Sequence, residues 1–421
     1  MKGTPRYFYS IMDIVKKDFV SIPPRIKIIV FALFVYTLAW GVLEPLQVIY
    51  FSSFVEQYFE LGIIFSLFNI MLLFSSIPAG ALADRVPPKK LVSLGLLLYP
   101  AIGAFYFSAT SLISLNVTRL INGLGATLVW VSGESFIRKE SPKNKSAETF
   151  GFYTTATNLA LFSGAIIGAF LVLFFEIREL FLLLFPIPII AFLITLKIKA
   201  EEKKAEEKDE TIIRAMEKVL EKDGLGTKEI IGFFETGVPA WYCVLLTFFG
   251  GFFYQILLIF IPLTAKYISM STSEILLLYA LMHVPFLLGF LFSEVADKLG
   301  KTKIITVGLA LSSVSLLLVF LFPQNLVLFI TFSLFFGLSL AIIGPSLNGL
   351  ITDITPKNES GEITGIVNSA YYFGAAVSPL FFGAFADIFG LIPSFLAAGI
   401  IAAILAILTI ALKGFLRTKW Q

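Results

Sequence analysis

The chain has 421 residues, of which 57% are hydrophobic and 14% charged, with a net charge of +3 and a mean hydropathy of +0.89. A soluble domain is about a quarter charged, and the apolar runs here repeatedly exceed the roughly 20 residues that cross a bilayer. The composition therefore excludes a soluble fold and a nucleic-acid partner and requires an all-α polytopic membrane protein. One cysteine, Cys243, excludes an internal disulfide, and with one histidine, His283, it excludes the usual Cys/His zinc sites, so neither metal nor cofactor is expected.

In chain order, residues 1–25 form a charged N-terminal segment in which Phe8, Ile11, Met12, Val15 and Phe19 share one helical face. That face fits an interfacial helix; a frayed segment is the plain alternative. The first apolar run begins near Ile26 after a charged stretch without a cleavage site, so it is expected to persist as a membrane helix. Twelve spans are legible, at 27–53, 58–84, 90–109, 112–137, 147–175, 179–199, 238–266, 274–296, 302–322, 326–353, 361–386 and 391–413. The N-terminal six occupy 26–199 and the C-terminal six 238–413. Between them runs a polar linker, 200–237, and a short segment, 414–421, follows. In the linker, Ile212, Ile213, Met216, Val219 and Leu220 form a helical stripe that Gly224 and Gly226 end, which predicts an amphipathic helix.

Twelve spans place both termini on one side, and the basic residues choose it. Of the 32 Lys and Arg residues, 29 lie on the side of the termini and linker; only Arg178 and Lys266 lie opposite, and Arg119 is inside a span. Basic residues are retained in the cytoplasm, so the termini and linker are expected there, in the plasma membrane.

The joint between spans 2 and 3 reads Gly80-Ala-Leu-Ala-Asp84-Arg85-Val-Pro-Pro-Lys89-Lys90. Two prolines stop the helix there and lysines open the next. A second version, with Asp297, Lys298, Gly300 and Lys301, follows 213 residues later between spans 8 and 9. Ser141-Pro-Lys-Asn-Lys-Ser-Ala-Glu148 returns as Thr355-Pro-Lys-Asn-Glu-Ser-Gly-Glu362 at an offset of 214, with Gly123 and Gly151 matching Gly337 and Gly365. The halves are therefore duplicates of six spans each. Six is even, so they share one orientation, an architecture that suits alternating access about a site between rocking halves.

With these motifs the chain resembles a twelve-span major facilitator superfamily transporter over nearly its whole length. Gly80, Leu82, Ala83, Asp84, Arg85 and Lys89 match the superfamily's G-x-L-A-D-R-x-G-R-K joint, with Pro87 and Pro88 replacing Gly and Arg. Arg119-Leu-Ile-Asn-Gly123-Leu-Gly125 is similar to the R-x-x-x-G-x-G of proton-coupled members, and Gly164-Ala-Ile-Ile-Gly168-Ala to a reduced form of the drug antiporters' G-P-x-x-G-G. The resemblance implies alternating access, protons as the coupling partner, a small organic substrate of amphiphilic or drug-like character, and a cavity lined by spans 1, 4, 7 and 10. Uptake of a metabolite is the alternative direction. A membrane enzyme would need a catalytic cluster at one depth, a channel a filter, and an ATP-driven pump a phosphate loop, and no such pattern occurs in the sequence. A monomer is expected.

Trp40, Glu44 and Gln47 fall on one stripe of span 1, and Arg119, Asn122 and Trp130 share a face of span 4. Tyr254 and Gln255 of span 7 and Asn348 of span 10 complete the expected lining. Aromatic and amide residues in such places also serve simple packing and interhelical bonding. A buried charge is costly and is seldom kept without a task, which singles out Glu44 and Arg119. Their depths from one membrane edge differ by less than a helical turn, at roughly 6 and 10 Å, which predicts an ion pair, Glu44 titrating because Arg119 does not. A static pair fixing helix register is the alternative. His283 can relay protons or simply hydrogen-bond, and Glu134 is placed to pair with Arg138. Gly80, Asp84, Arg85, Lys89, Asp297, Lys298 and Gly300 are expected to work the cytoplasmic gate, Asp84 by capping a neighbouring helix.

Overall fold

The computed structural model describes residues 22–142, 146–198, 237–354 and 360–417. The expected helices in the N-terminal segment and in the linker, residues 143–145 and 355–359 of the repeat, and the segment after 417 lie outside the described residues. Among those that are described the protein is all helical. The N-terminal half comprises α1 (Pro24–Phe51), α2 (Tyr58–Arg85), α3 (Pro88–Ser108), α4 (Leu112–Glu140), α5 (Ser146–Leu171) and α6 (Ile177–Leu196). The C-terminal half comprises α7 (Val238–Tyr267), α8 (272–299), α9 (Lys301–Leu321), α10 (Leu326–Ile354), α11 (Ser360–Phe389) and α12 (Pro393–Arg417). Eleven of these are continuous and apolar enough to cross a membrane, and the twelfth, α8, is a pair of segments bent by 52°.

The single apolar run read at 274–296 is thus a broken span. Pro285 has no N–H to offer, and its ring would strike the carbonyl of Leu281 in an α-helix. The chain responds with a 3₁₀ turn over Val284–Leu288 before helix resumes at Gly289. Pro262 acts similarly in α7, where a π turn over Ile256–Phe260 precedes it. Helix starts follow local chemistry. Ser111 and Ser271 close capping boxes at α4 and α8, Asn325 Oδ1 accepts from the Leu328 N–H at α10, and Pro24, Pro88 and Pro393 open α1, α3 and α12.

The outer surface is apolar, as lipid demands: Phe74, Ile113, Val327 and Ile388 are each more than 70% exposed. Within each half an equivalent helix pair packs backbone to backbone. A Cβ added to Gly41 of α1 would lie 2.6 Å from the Leu161 carbonyl oxygen of α5, and one added to Gly251 of α7 would lie 2.1 Å from that of Tyr371 in α11.

The bundle has two ends. At the linker end lie the start of α1, the end of α6, the start of α7 and the end of α12; the opposite end is called the far end. The halves meet along two seams toward the far end. In the α2/α11 seam a Cβ on Gly62 would sit 2.3 Å from the Pro379 carbonyl oxygen, and Ser66 Oγ donates to the Ala376 carbonyl at 2.6 Å. In the α5/α8 seam Ser273 Oγ donates to the Ala169 carbonyl at 2.8 Å. At the linker end five ion pairs each stay within one half: Arg25–Glu140 (2.8 Å), Asp84–Lys139 (3.2 Å), Lys301–Asp353 (2.8 Å), Lys301–Asp297 (3.4 Å) and Lys298–Glu294 (2.5 Å). There α2 stands off from α7 and α11 around an apolar crevice of about 510 Å³ lined by Leu73, Trp241, Val244, Phe248, Ile366 and Phe373.

Candidate functional site

Glu44 bonds across the two halves. From α1 its carboxylate Oε2 accepts a short hydrogen bond from the Tyr279 hydroxyl of α8. Tyr279 is fully buried and lies against His283 one turn on, ring centroids 4.2 Å apart. His283, also fully buried, approaches the Tyr279 carbonyl through Nδ1 at 2.9 Å. A carbonyl only accepts, so Nδ1 carries the proton and Nε2 presents a lone pair, which has no partner in the structure. Phe286 stacks on the imidazole at 5.5 Å, and Tyr254 of α7 meets Phe286 edge-on at 6.4 Å. Glu44, Tyr254, Tyr279 and His283 thus form one aromatic, sparingly polar cluster where the halves join.

Arg119 does not pair with Glu44. Its Nη1 donates to Gln47 Oε1 at 3.0 Å and its Nε to the Ile64 carbonyl at 3.1 Å, and the guanidinium faces the rings of Phe68, Phe65 and Phe51 at 4.5, 5.1 and 5.6 Å. This corrects the expected ion pair. The planar guanidinium is held by two neutral acceptors and three aromatic faces, and so is accommodated in the interior of the N-terminal half without a carboxylate. Gln47 lies one turn from Glu44 on the same stripe of α1 and stands between them.

The remaining residues divide between packing and lining. Trp40 is edge-on to Tyr36 and Tyr99, at 6.4 and 5.8 Å, and the two tyrosine hydroxyls bond each other at 2.5 Å. Asn122 Nδ2 donates to the Tyr106 hydroxyl at 3.0 Å, inside the N-terminal half. Trp130 is half-buried against Phe68, with centroids 6.3 Å apart. Gln255 is buried, whereas Asn348 is exposed on α10. Glu134 and Arg138 form no ion pair, because Arg138 points outward and is exposed.

At the linker end Asp84 caps no helix. Its carboxylate, 74% exposed, is paired with Lys139, whose Nζ also donates to the Ala83 carbonyl at 2.8 Å. The expected cap is thus replaced by an ion pair within one half, because the two halves stand apart at this end. A Cβ on Gly80 would meet nothing within 4 Å, and Arg85 is half-buried. Lys89 Nζ donates to the Ile198 carbonyl at 2.6 Å, fastening α3 to the end of α6. In the second copy Lys301 bridges Asp297 and Asp353, Lys298 takes Glu294 on its own helix, and Gly300, at φ +97°, makes the turn that a side chain would strain.

Two participants escaped the sequence reading. Tyr279 lies one turn before His283 on the same face, a signal that was available. Asp387, at the far end of α11, resembled any exposed interfacial acid. Its Oδ1 and Oδ2 accept the Tyr58 and Phe59 N–H groups at 2.7 and 2.9 Å.

Two six-helix halves in one orientation, sealed at one end and carrying a half-buried carboxylate at their junction, define a secondary transporter. The sequence profile of the Major Facilitator Superfamily matches residues 29–293 and 272–419, and the chain belongs to that superfamily. It is 22% identical over 383 residues to an uncharacterised MFS-type transporter of Methanocaldococcus jannaschii, covering 89% of this chain and 95% of that one. It is 26% identical over 334 residues to the multidrug resistance efflux pump PmrA of Streptococcus pneumoniae, covering 77% and 78%. The quinolone resistance protein NorA of Staphylococcus aureus is 26% identical over 148 residues, 35% of this chain and 38% of NorA. In fold the chain is similar to a bacterial homologue of the human lysosomal transporter Spinster in an inward-facing, unoccupied conformation, with a TM-score of 0.76, 17% identity, and coverage of 94% of this chain and 99% of that one.

Proposed function

We propose that this transporter exports an amphiphilic organic solute from the cytoplasm across the plasma membrane in exchange for protons, as a monomer. The bond that carries the reading is Glu44 to Tyr279, because it joins the halves through a titratable group. Ionised, Glu44 accepts a charge-assisted bond that holds α1 to α8. Protonated, it binds the hydroxyl more weakly, and that link between the halves loosens. A basic group on the solute, taking Glu44 as its counter-ion, competes with the same proton, which is the thermodynamic requirement for exchange. The surrounding Tyr254, Tyr279 and Phe286 suit an apolar or aromatic body. His283 Nε2, unpartnered, offers a proton acceptor on the ring packed against Tyr279. Of its relatives, PmrA is a multidrug resistance efflux pump and NorA a quinolone resistance protein.

Sidedness is compatible with this direction. With basic residues retained in the cytoplasm, the linker end faces inward and the far-end seams close the outside, a state in which an exporter takes up its solute. Lys197→Cys and Thr110→Cys, each in a Cys243→Ala background, should label with impermeant reagent only from the inside and only from the outside, respectively. Labelling of Lys197→Cys from outside intact cells would overturn the orientation.

The function itself is tested in proteoliposomes with fluorescent hydrophobic cations and an imposed pH gradient. The wild type should concentrate the dye against its gradient and stop when the proton gradient is collapsed. Glu44→Gln keeps an acceptor for the Tyr279 hydroxyl, so it should still exchange dye down its own gradient but lose proton-driven accumulation. Accumulation indifferent to the pH gradient, or unchanged in Glu44→Gln, would refute the proposal.

A further inference from the structure

The far end of the α2/α11 seam is closed by a helix cap supplied across the two halves. Helix α2 begins at Tyr58 after Gln57, whose side chain makes no cap bond. The first turn of any helix leaves N–H groups unsatisfied, and α4, α8 and α10 satisfy theirs with their own Ser111, Ser271 and Asn325. In α2 the donors are instead taken by Asp387 of α11, 329 residues away, one carboxylate oxygen on each of Tyr58 and Phe59 N–H at 2.7 and 2.9 Å. Asp387 and Phe59 are exposed and Tyr58 is half-buried, and the bonds lie at the surface, so solvent can replace them when the seam opens. The contact stands in a fixed register. Running from the deep part of the seam to the far end, Ser66 meets Ala376, Gly62 meets Pro379, Gly383 meets Tyr58, and Asp387 takes the helix terminus. A Cβ on Gly383 would lie 2.6 Å from the Tyr58 carbonyl oxygen, so the backbones must touch for the carboxylate to reach. The other seam ends differently: α8 is capped in cis by Ser271, and Ser273 contributes one neutral bond across to α5.

We propose that Asp387 is a releasable latch that holds the far end shut. For the halves to part at the far end, α2 must surrender its N-terminal cap to water, and the loss of a charge-assisted, dipole-aligned contact opposes that step. Because α2 has no cap of its own, its first turn is well satisfied only while the far end is closed. Asp387 is therefore a positioning residue, acting on the balance between conformations and not on the solute. This inference rests on the contact itself and stands whichever solute is carried.

The test measures far-end separation by electron–electron spin distances between labels at Thr110→Cys in the N-terminal half and Gln324→Cys in the C-terminal half, in a Cys243→Ala background. Asp387→Ala should raise the ratio of far-end-open to far-end-closed molecules by about fivefold, the equivalent of about 1 kcal/mol, and Asp387→Glu should bring it part of the way back. A second variant separates latching from plain helix stabilisation. Gln57→Asp gives α2 its own cap, which competes for the Phe59 N–H, so the protein should be at least as stable as the wild type and yet more open at the far end. A population of open molecules unchanged in Gln57→Asp, or unchanged in a folded Asp387→Ala, would overturn the proposal, since a cap that only stabilises α2 predicts unchanged distances.

Discussion

Arg119 of α4 and Ser333 of α10 stand 214 residues apart at equivalent places in the two halves, and both are buried. Arg119 is satisfied by Gln47, the Ile64 carbonyl and three phenylalanine rings, whereas Ser333 Oγ has no partner at all. The same divergence runs through both interiors. The N-terminal half carries Glu44, Arg119 and the Tyr36–Tyr99 and Asn122–Tyr106 bonds. The C-terminal half is built on phenylalanine, with Phe248, Phe252, Phe253, Phe381 and Phe382 meeting at centroid distances of 5.0–6.1 Å. At the linker end a pairing is kept with its polarity reversed. Asp84 of the joint takes Lys139 of α4, whereas Lys301 of the joint takes Asp353 of α10, and Lys139 and Asp353 are equivalent at the 214-residue offset. Duplication has thus preserved where helices touch while the chemistry has been divided. One half holds the charge, and the other supplies apolar surface and the hydroxyl that reads that charge.

The largest expected effect lies in the charged interior. Arg119→Leu removes the donor to Gln47 and the cation facing three rings, and should lower resistance to denaturant unfolding in detergent by about 3 kcal/mol. Ser333→Ala, which breaks no bond, should stay within about 1 kcal/mol. Equal losses would erase the distinction between the halves.

Next are the seams. Gly62→Ala puts a Cβ 2.3 Å from a backbone oxygen that cannot move alone. It should raise cysteine reactivity near the far end by about tenfold, while Gly80→Ala, which meets nothing, should leave reactivity unchanged. A silent Gly62→Ala would show that the seam is looser than its geometry implies.

A third pair separates hydroxyls that join the halves from those that do not. Tyr279→Phe deletes the bond to Glu44 and should reduce proton-driven accumulation roughly tenfold. Tyr99→Phe, whose hydroxyl bonds Tyr36 within one half, should leave the pH dependence unaltered. Similar losses in both would assign the effect to packing.

The smallest effects belong to the reversed ion pairs. Asp84 is 74% exposed, whereas Lys301 is 19% exposed. Asp84→Asn should cost at most about 0.5 kcal/mol and fade with salt, and Asp353→Asn somewhat more. Asp84→Asn should slow transport with ligand affinity intact, and the exchange Asp84→Lys with Lys139→Asp should restore the rate. Loss of equilibrium binding in Asp84→Asn would instead place this carboxylate in the solute site.

Much of this architecture is written locally in the chain. Runs of apolar residues longer than a bilayer set twelve spans, because every backbone polar group in lipid must be satisfied within its own helix. The 213- and 214-residue offsets disclose the duplication, and Glu44 and Arg119 stand out because charge inside a span is costly wherever it occurs. What the chain order does not contain is the partner each charge takes. Depth arithmetic brought Glu44 and Arg119 to one level, but level is not azimuth. The rotation of α4 turns Arg119 toward α2 and Gln47, and the closure of two halves brings Tyr279 to Glu44 from 235 residues away. The cap of α2 by Asp387 is equally a product of that closure, since no local pattern links an exposed acid at the end of one helix to free N–H groups at the start of another. Spans, repeat and out-of-place charges are thus readable along the chain, because hydropathy and helix capping act over a few turns. Who bonds whom across the halves is not, because those contacts depend on how whole helices rotate and pack.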